Sequence, residues 1–246
     1  LTERMPHVRS VSLGVWLRRG SRHEPAALNG ASHFIEHLVF KGTETRSARD
    51  IALAVDSIGG QMDAFTSKEY TCFYAKVLDR NIDEAVDLLA DIVLRPLFDP
   101  EELERERRET LAAIARREDR LAARAYLLFA ETHFRRHPYR LPLLGTAGSV
   151  GAFDALRVAE HHARLVRASN LVLAVAGEVD PDGVAQQIAA RLADLDASRG
   201  APPWPPHEDP PAEIRRAELV RERAQAHLVI GFRGVSVRDE DRIALE

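Results

Sequence analysis

Two hydrophobic periodicities run along the chain and predict its strands. Residues 11–17 (VSLGVWL) alternate apolar with small or polar positions, as a half-buried strand does, and residues 171–177 (LVLAVAG) form a short apolar run. Residues 61–66 and 69–77 are two strand-like segments separated by only two residues, which is typical of a hairpin. The chain therefore contains both single strands and a predicted hairpin.

Apolar positions spaced by three and four residues predict the helices. The predicted segments are 31–40, 48–58, 82–94, 101–123, 154–165 and 181–194. Ser47 is suited to cap the second of them, and Gly59 with Gly60 to end it. Helices and strands occur in unequal blocks without a regular β-α-β alternation. This organisation predicts an α+β fold, with a largely antiparallel sheet packed with helices.

The last part of the chain has a different pattern. Six prolines between positions 202 and 211 predict a semi-rigid extended connector. Strands are expected near 214–220 and 226–233, and a helical pattern begins at Asp239. We expect one α+β domain over residues 1–238, with residues 239–246 as the cut start of the next helix of a longer protein.

Composition limits the possible functions. The chain has 246 residues, 45% of them hydrophobic, and a formal net charge of -4. These values fit a folded protein with a substantial core and no overall basic field for nucleic acid. No apolar run reaches the roughly 20 residues that span a bilayer, and no targeting segment is visible, so cytoplasm and periplasm both stay open. The single cysteine, Cys72, excludes a cysteine-rich zinc site.

The segment HFIEH, residues 33–37, contains the strongest chemical signal. His33 and His37 lie one turn apart on the predicted helix, so both imidazoles can reach one Zn²⁺ ion. Glu36 lies about 60° round the helix from His33, near enough to take a proton from a zinc-bound water. The alternative is a solvated or packed histidine pair, which is the commoner meaning of this spacing alone.

The surrounding sequence resembles the pitrilysin and insulinase family of zinc endopeptidases, particularly its processing-peptidase-like members. The order H-x-x-E-H is the inverted zinc-peptidase signature. Similar segments run along nearly the whole chain: RSVSLGVWLRRGSR, GASHFIEHLVFKGTETRSARDIA, DSIGGQMDAFTSKEYTCFYAKV, HPYRLPLLGT and ASNLVLAVAGEVD. The resemblance implies the fold of the metal-binding N-terminal half of such an enzyme.

The resemblance also implies roles for individual residues. His33 and His37 would be zinc ligands, and Glu36 would be the general base that activates the zinc-bound water. The strand around Ala64, Phe65 and Thr66 would be an edge strand that pairs with the backbone of a peptide substrate. An ordinary hairpin strand is the alternative for that segment. A second homologous half or subunit, which is not visible here, would close the reaction chamber.

The chain departs from the family pattern at the third zinc ligand. The family has a glutamate on the long helix, and the matching position here is Ala113. Ala113 could be an inactivating change, Glu109 one turn earlier could substitute for the missing ligand, or the protein could keep the fold without the chemistry. Glu106 matches the family's accompanying acidic residue, which orients ligands. For Glu106 and Glu109, ordinary charges on a solvated helix are the alternative.

The sequence therefore predicts half of a zinc endopeptidase chamber that hydrolyses peptides or unfolded segments, with impaired zinc retention caused by Ala113. A hypothesis of a different class is a non-catalytic subunit that binds peptides beside an active homologue, in a homo- or hetero-oligomer. Ala113 favours the second hypothesis. The intact set of His33, Glu36 and His37 favours the first.

Overall fold

Five strands of the described residues form one sheet in the order β1-β5-β2-β4-β3. The computed structural model describes residues 1–195, 208–209, 211–232, 234–236 and 239–245. The strands are Thr2–Arg4 (β1), Ser10–Leu17 (β2), Gln61–Thr66 (β3), Thr71–Leu78 (β4) and Leu171–Gly177 (β5). Only β1 and β5 pair in parallel, and the remaining pairs are antiparallel. The predicted α+β class and largely antiparallel sheet are confirmed, whereas β1 was not predicted.

The helices of the described residues follow the predicted ones with small shifts at their ends, and they include the short helix Ala147–Gly151, which was not predicted. They are Ala31–Leu38 (α1), Ala48–Ile58 (α2), Ile82–Leu94 (α3), Pro100–Asp119 (α4), Leu121–His133 (α5), Ala147–Gly151 (α6), Ala155–Leu165 (α7), Pro181–Arg191 (α8) and Arg242–Leu245 (α9). The long helix predicted over 101–123 is two helices. Arg120, which has extended backbone angles (φ -84°, ψ 101°), separates them. No proline or glycine marks this break in the sequence.

The helix termini of α2 agree with the sequence prediction. The Ser47 hydroxyl accepts a hydrogen bond from the Asp50 N–H at 3.2 Å, and the Asp50 carboxylate accepts one from the Ser47 N–H at 3.0 Å. Gly59 ends the helix in the left-handed region, with φ 61°, where glycine is favoured because it has no Cβ. Residues 47–59 therefore form a capped helix with local signals at both ends.

One face of the sheet carries the core. Alternate residues of β2 and β4 are buried on this face, and the residues between them point to the other side of the sheet. Helix α1 packs along β3, and α3 packs along β4. The apolar face of α1, formed by Phe34, Ile35 and Leu38, is almost fully buried. Because these residues face the core, the remaining face of α1 carries its histidines beside the edge strand β3.

The strands predicted near 214–220 and 226–233 are not formed in the described residues. Residues 211–232 have no regular secondary structure. A strand needs a neighbouring backbone, and here side chains such as Ile214, Leu228 and Phe232 are largely exposed. Most of the predicted proline-rich connector and residue 233 lie outside the described residues. Within the described ranges, no helix has the length and apolarity needed to cross a membrane.

Candidate metal and peptidase site

Helix α1 brings His33 and His37 together. It begins at Ala31, just after Gly30, and the two imidazole rings lie on adjacent turns with their centroids 4.6 Å apart. Both side chains are close to solvent, since His37 has a 43% exposed side chain and His33 is half-buried. The spacing expected from the sequence is therefore present, and the two rings lie close together.

Glu106 on α4 holds one of the two imidazoles. His37 Nδ1 lies 3.1 Å from Glu106 Oε1, and the Thr110 hydroxyl donates to the same oxygen at 3.2 Å. The carboxylate raises the pKa of His37, with burial opposing it. Burial alone would raise the pKa of Glu106, but its hydrogen bonds from His37 and Thr110 and the charge of His37 lower it. The pair is thus an oriented, partly ionic contact.

Burial acts in a different way on the other two residues of the motif. It lowers the pKa of His33 to about 4, and the neighbouring His37 adds to this shift. Burial also raises the pKa of Glu36, although the hydroxyl and backbone N–H of Thr66 oppose this. A neutral imidazole is the form that binds a metal, and a carboxylate with a raised pKa is a better base. Both shifts suit the expected chemistry.

The predicted substrate-binding residues lie on an exposed edge of the sheet. Among the described strands, β3 pairs only with β4, so its outer side is open. Phe65 is 38% exposed, and its ring packs edge-on against Trp16 with centroids 5.8 Å apart. Ala64 is half-buried, and Thr66 is buried next to Glu36. The edge strand therefore ends beside the general-base candidate.

Helix α4 does not bring a third carboxylate to the histidines. Its buried positions Leu103, Glu106, Thr110 and Ile114 define the face toward α1. Ala113 lies two turns after Glu106 on nearly the same face and is half-buried, whereas Glu109 is exposed. In the described part of the chain, no hydrogen bond or ion pair links Glu109 to either histidine. The structure thus does not bring the suggested substitute ligand to the site.

Three buried atoms of this cluster have no hydrogen-bond partner among the residues that the structure describes: His33 Nδ1, Glu36 Oε2 and Glu106 Oε2. Buried polar atoms are normally satisfied, so such a group of acceptors fits a bound cation and water. Imidazole nitrogen and carboxylate oxygen are zinc donors. However, within the described residues no set of three or more His, Cys, Asp or Glu side chains is arranged to hold a metal. The residues fit zinc with two protein ligands.

Sequence reasoning missed one residue of the cluster. Thr110 donates to Glu106, and its position four residues after Glu106 places both on one helix face. That spacing could have identified it. Its hydroxyl restricts the carboxylate to the side of the helix on which His37 lies.

Comparison with known proteins agrees with this geometry. The profile of the insulinase family, peptidase family M16, matches residues 1–147, and the profile described as the peptidase M16 inactive domain matches residues 152–246. An uncharacterized zinc protease of Streptomyces coelicolor is 40% identical over all of this chain and 54% of its own length. The zinc protease YmxG of Bacillus subtilis is 38% identical over 97% of this chain and 57% of its own length.

Solved structures show the same fold. A protease from Helicobacter pylori superposes with a TM-score of 0.77 at 23% identity, over 84% of this chain and 51% of its own. This chain therefore spans about half the length of the proteins that it matches. From the family profiles, and in agreement with the H-x-x-E-H helix beside an open strand edge, we conclude that the chain belongs to peptidase family M16, the insulinase family.

Proposed function

We propose that this chain is the metal-binding half of a zinc-dependent endopeptidase, with the zinc weakly held. The observation that carries the proposal is the cluster of His33, Glu36 and His37 on one helix. The two rings lie 4.6 Å apart, and the buried His33 Nδ1 and Glu36 Oε2 have no hydrogen-bond partner among the described residues. The relatives named zinc proteases support the choice of metal. The half-buried Ala113 supports the weak binding.

Each residue of the cluster would have its own task. His33 and His37 would hold the zinc, and Glu106 would orient His37 through the contact at Nδ1. When bound, zinc would polarise the scissile carbonyl and lower the pKa of water at the site. Glu36 would take the proton of the attacking water at Oε2, the oxygen without a protein partner, and would later give it to the leaving amine.

The edge of β3 would hold the peptide substrate. An extended peptide can add to an open strand through backbone hydrogen bonds, and these bonds depend little on the sequence of the peptide. Ala64, Phe65 and Thr66 lie on the open edge, and Thr66 adjoins Glu36. A peptide bound there would run past the general base. We propose peptides or unfolded segments as the substrate class, because their backbones are free to become extended and pair with β3.

The remainder of the reaction chamber would come from a second homologous half or subunit. The matched relatives are nearly twice as long as this chain, and the second profile match runs to residue 246. The exposed apolar side chains of residues 211–232 support an additional packing partner. In this arrangement we propose that residues 1–238 would form one domain and that residues 239–246 would lie outside it.

A non-catalytic role is the second candidate, and Ala113 favours it. Helix α4 has alanine at both 112 and 113 and an exposed Glu109, so it offers no third ligand on the histidine side. A subunit of this kind would bind peptides at β3 and pair with an active homologue. The intact Glu36 distinguishes the candidates, because peptide binding alone does not need a general base.

The enzyme proposal is tested by comparing the zinc affinities of two matched variants with that of the unchanged protein. Ala113→Glu places a carboxylate on the face shared with Glu106, whereas Ala112→Glu places the same group at the neighbouring exposed position. We expect Ala113→Glu to tighten zinc binding at least tenfold, because even the loss of a residue that only supports a ligand lowers metal affinity by about that factor. We expect Ala112→Glu to leave zinc affinity unchanged. Equal affinities in all three proteins would show that position 113 does not face the metal.

Hydrolysis separates the enzyme from the non-catalytic subunit. Full-length protein with and without Ala113→Glu is incubated with an unstructured peptide, with and without added zinc. Zinc-dependent cleavage that increases with Ala113→Glu is the expected result. Tight zinc binding without any cleavage in the Ala113→Glu protein would favour the non-catalytic candidate.

A further inference from the structure

A buried carboxylate lies in the loop before α1. Glu24 is only 6% exposed. Its Oε1 accepts a hydrogen bond from the Ser32 N–H at 2.7 Å, and its Oε2 accepts one from the Gly30 N–H, also at 2.7 Å. The Asn29 side-chain amide donates to Oε2 at 3.3 Å. Glu24 is therefore joined to the first turn of the histidine helix by both carboxylate oxygens.

Helix α1 has no cap of its own. The residue at its N-cap position is Gly30, which has no side chain and a φ of 95°. The first N–H groups of a helix have no partner within it, and negative charge is favoured at that end. Glu24 supplies acceptors for the N–H groups of Gly30 and Ser32 from six residues before Gly30. A side chain at Gly30 could not replace it, because a Cβ there would lie 2.7 Å from Gly145 Cα.

The same junction is attached to the loop before α6 and to α6 itself. The Asn29 side-chain amide donates to the Pro142 carbonyl at 2.9 Å, and the Ser149 hydroxyl donates to the Asn29 carbonyl at 2.7 Å. Asn29 thus connects Glu24 and the start of α1 with residues 142–149. The first turn of α1 cannot shift without breaking contacts on two sides.

His33 depends on this turn more than His37 does. His37 is oriented directly by Glu106 at Nδ1, whereas Nδ1 of His33 has no hydrogen-bond partner in the described part of the chain. Ser32, whose N–H Glu24 holds, is the residue before His33. The place of the His33 ring is therefore set mainly by the backbone of the first turn, and Glu24 is the side chain that fixes this backbone.

We propose that Glu24 is a positioning residue that sets His33 at the correct place relative to His37 for metal binding. The proposal rests on the proposed function of the two histidines as zinc ligands. It assigns the two ligands separate supports: Glu106 orients His37 through its ring, and Glu24 orients His33 through the backbone of Ser32. Loss of Glu24 should then misplace one ligand while the fold remains.

Glu24→Gln and Asp180→Asn are the variants that test it. Gln keeps the size of Glu24 but has one acceptor oxygen for two N–H donors. Asp180 is the matched control, because its carboxylate accepts from the Asp182 and Gly183 N–H groups at 3.3 and 3.1 Å at the start of α8, away from the histidines. Glu24→Asp, which keeps the charge but shortens the side chain by about 1.5 Å, serves if Glu24→Gln does not fold.

Two readouts are taken on the full-length protein, in the natural sequence and in the Ala113→Glu background. The first is NMR of the His33 and His37 rings and amide hydrogen exchange over residues 30–38, without metal. The second is Co²⁺ affinity and the visible spectrum of bound Co²⁺. We expect Glu24→Gln to shift the His33 ring signals, speed exchange at Gly30 and Ser32, and weaken Co²⁺ binding about tenfold, and Asp180→Asn to change none of these.

The outcomes separate the two proposals. If even Ala113→Glu protein with intact Glu24 binds no Co²⁺, the proposed metal function fails, and the metal-free NMR still decides the role of Glu24. Unchanged His33 signals in a folded Glu24 variant would overturn the positioning role. So would a loss of Co²⁺ affinity that is equal in Glu24→Gln and Asp180→Asn, since a general loss of stability would then explain it.

Discussion

This protein has two pairs of histidines on neighbouring helices, and the two pairs differ in their hydrogen-bond partners. His33 and His37 are on α1, and His161 and His162 are on α7, which packs against α1. His162 Nε2 donates to the Val93 carbonyl at 2.8 Å, and His161 Nε2 lies 3.4 Å from the Ser32 hydroxyl. Both α7 histidines are buried, and burial lowers the pKa of each to about 4.

The comparison shows how the candidate metal-binding pair differs from a structural pair. On α7 each imidazole has a hydrogen-bond partner within the fold. On α1 one imidazole meets a carboxylate and the other has a buried nitrogen without a partner. Unpartnered acceptors next to buried carboxylates are a costly arrangement, which is retained where a ligand completes it. Histidine content and burial alone would not have distinguished the two pairs.

The largest expected effect concerns Glu36, the proposed general base beside the α1 pair. In Ala113→Glu protein, Glu36→Gln should reduce peptide hydrolysis by at least about 100-fold, the lower range for loss of general acid–base catalysis, with zinc affinity unchanged. Steady-state kinetics and zinc titration measure the two quantities. His162→Gln is the control, and it should hydrolyse peptide as its parent does. Full activity in Glu36→Gln would remove Glu36 from the mechanism.

The two pairs should respond in opposite ways to loss of a ring. His33→Ala should weaken zinc binding by at least about 100-fold, because it removes a proposed ligand and not merely an outer partner. It should alter the free energy of unfolding of the metal-free protein little, because His33 Nδ1 has no hydrogen-bond partner among the described residues. His162→Ala should leave zinc affinity unchanged but lower the free energy of unfolding by about 1–3 kcal/mol, since the buried Val93 carbonyl loses its donor. Zinc titration and urea unfolding measure these effects. A strong zinc effect from His162→Ala would contradict the division.

Two glutamates of α4 offer a smaller test of the α1 pair. Glu106→Gln should weaken zinc binding about tenfold, because the ring of His37 loses its charged partner. The exposed Glu109→Gln should have no effect on zinc affinity, measured by competition with a chromophoric chelator. If Glu109→Gln weakens binding and Glu106→Gln does not, Glu109 is the replacement ligand and α4 must rotate to bring it to the metal.

Local signals explain how far the sequence could predict this molecule. The spacing of His33 and His37 and the caps of α2 are properties of neighbouring residues, and they were predicted with nearly correct bounds. Contacts between distant segments were not visible, because the sequence does not state which helix face meets another. The sequence therefore did not reveal that Glu24 is buried against the start of α1 or that Glu109 faces solvent. The strands predicted at 214–220 and 226–233 failed since periodicity cannot tell whether a partner strand is present.

The pH dependence of the free energy of unfolding gives the last and smallest difference between the two histidine pairs. The folded pKa of His162, about 4, lies below the value of about 6.5 in an unfolded chain. The unfolded state therefore takes up a proton first as the pH falls, so the stabilisation is complete above about pH 6.5 and is lost toward pH 4. His162→Gln keeps a donor for Val93 but does not titrate.

Between pH 7.5 and 5, wild type should thus lose on the order of 1–2 kcal/mol of unfolding free energy more than His162→Gln. Urea unfolding of both metal-free proteins at several pH values measures the difference, and the pair at pH 8 supplies the baseline, because His162 is neutral there in both states. Parallel curves would mean that His162 is hydrated or protonated in the fold. The two histidine pairs would then be more alike in protonation than their contacts indicate. The Nδ1 atom of His33, unpartnered among the described residues, would remain the feature that distinguishes the α1 pair from the α7 pair.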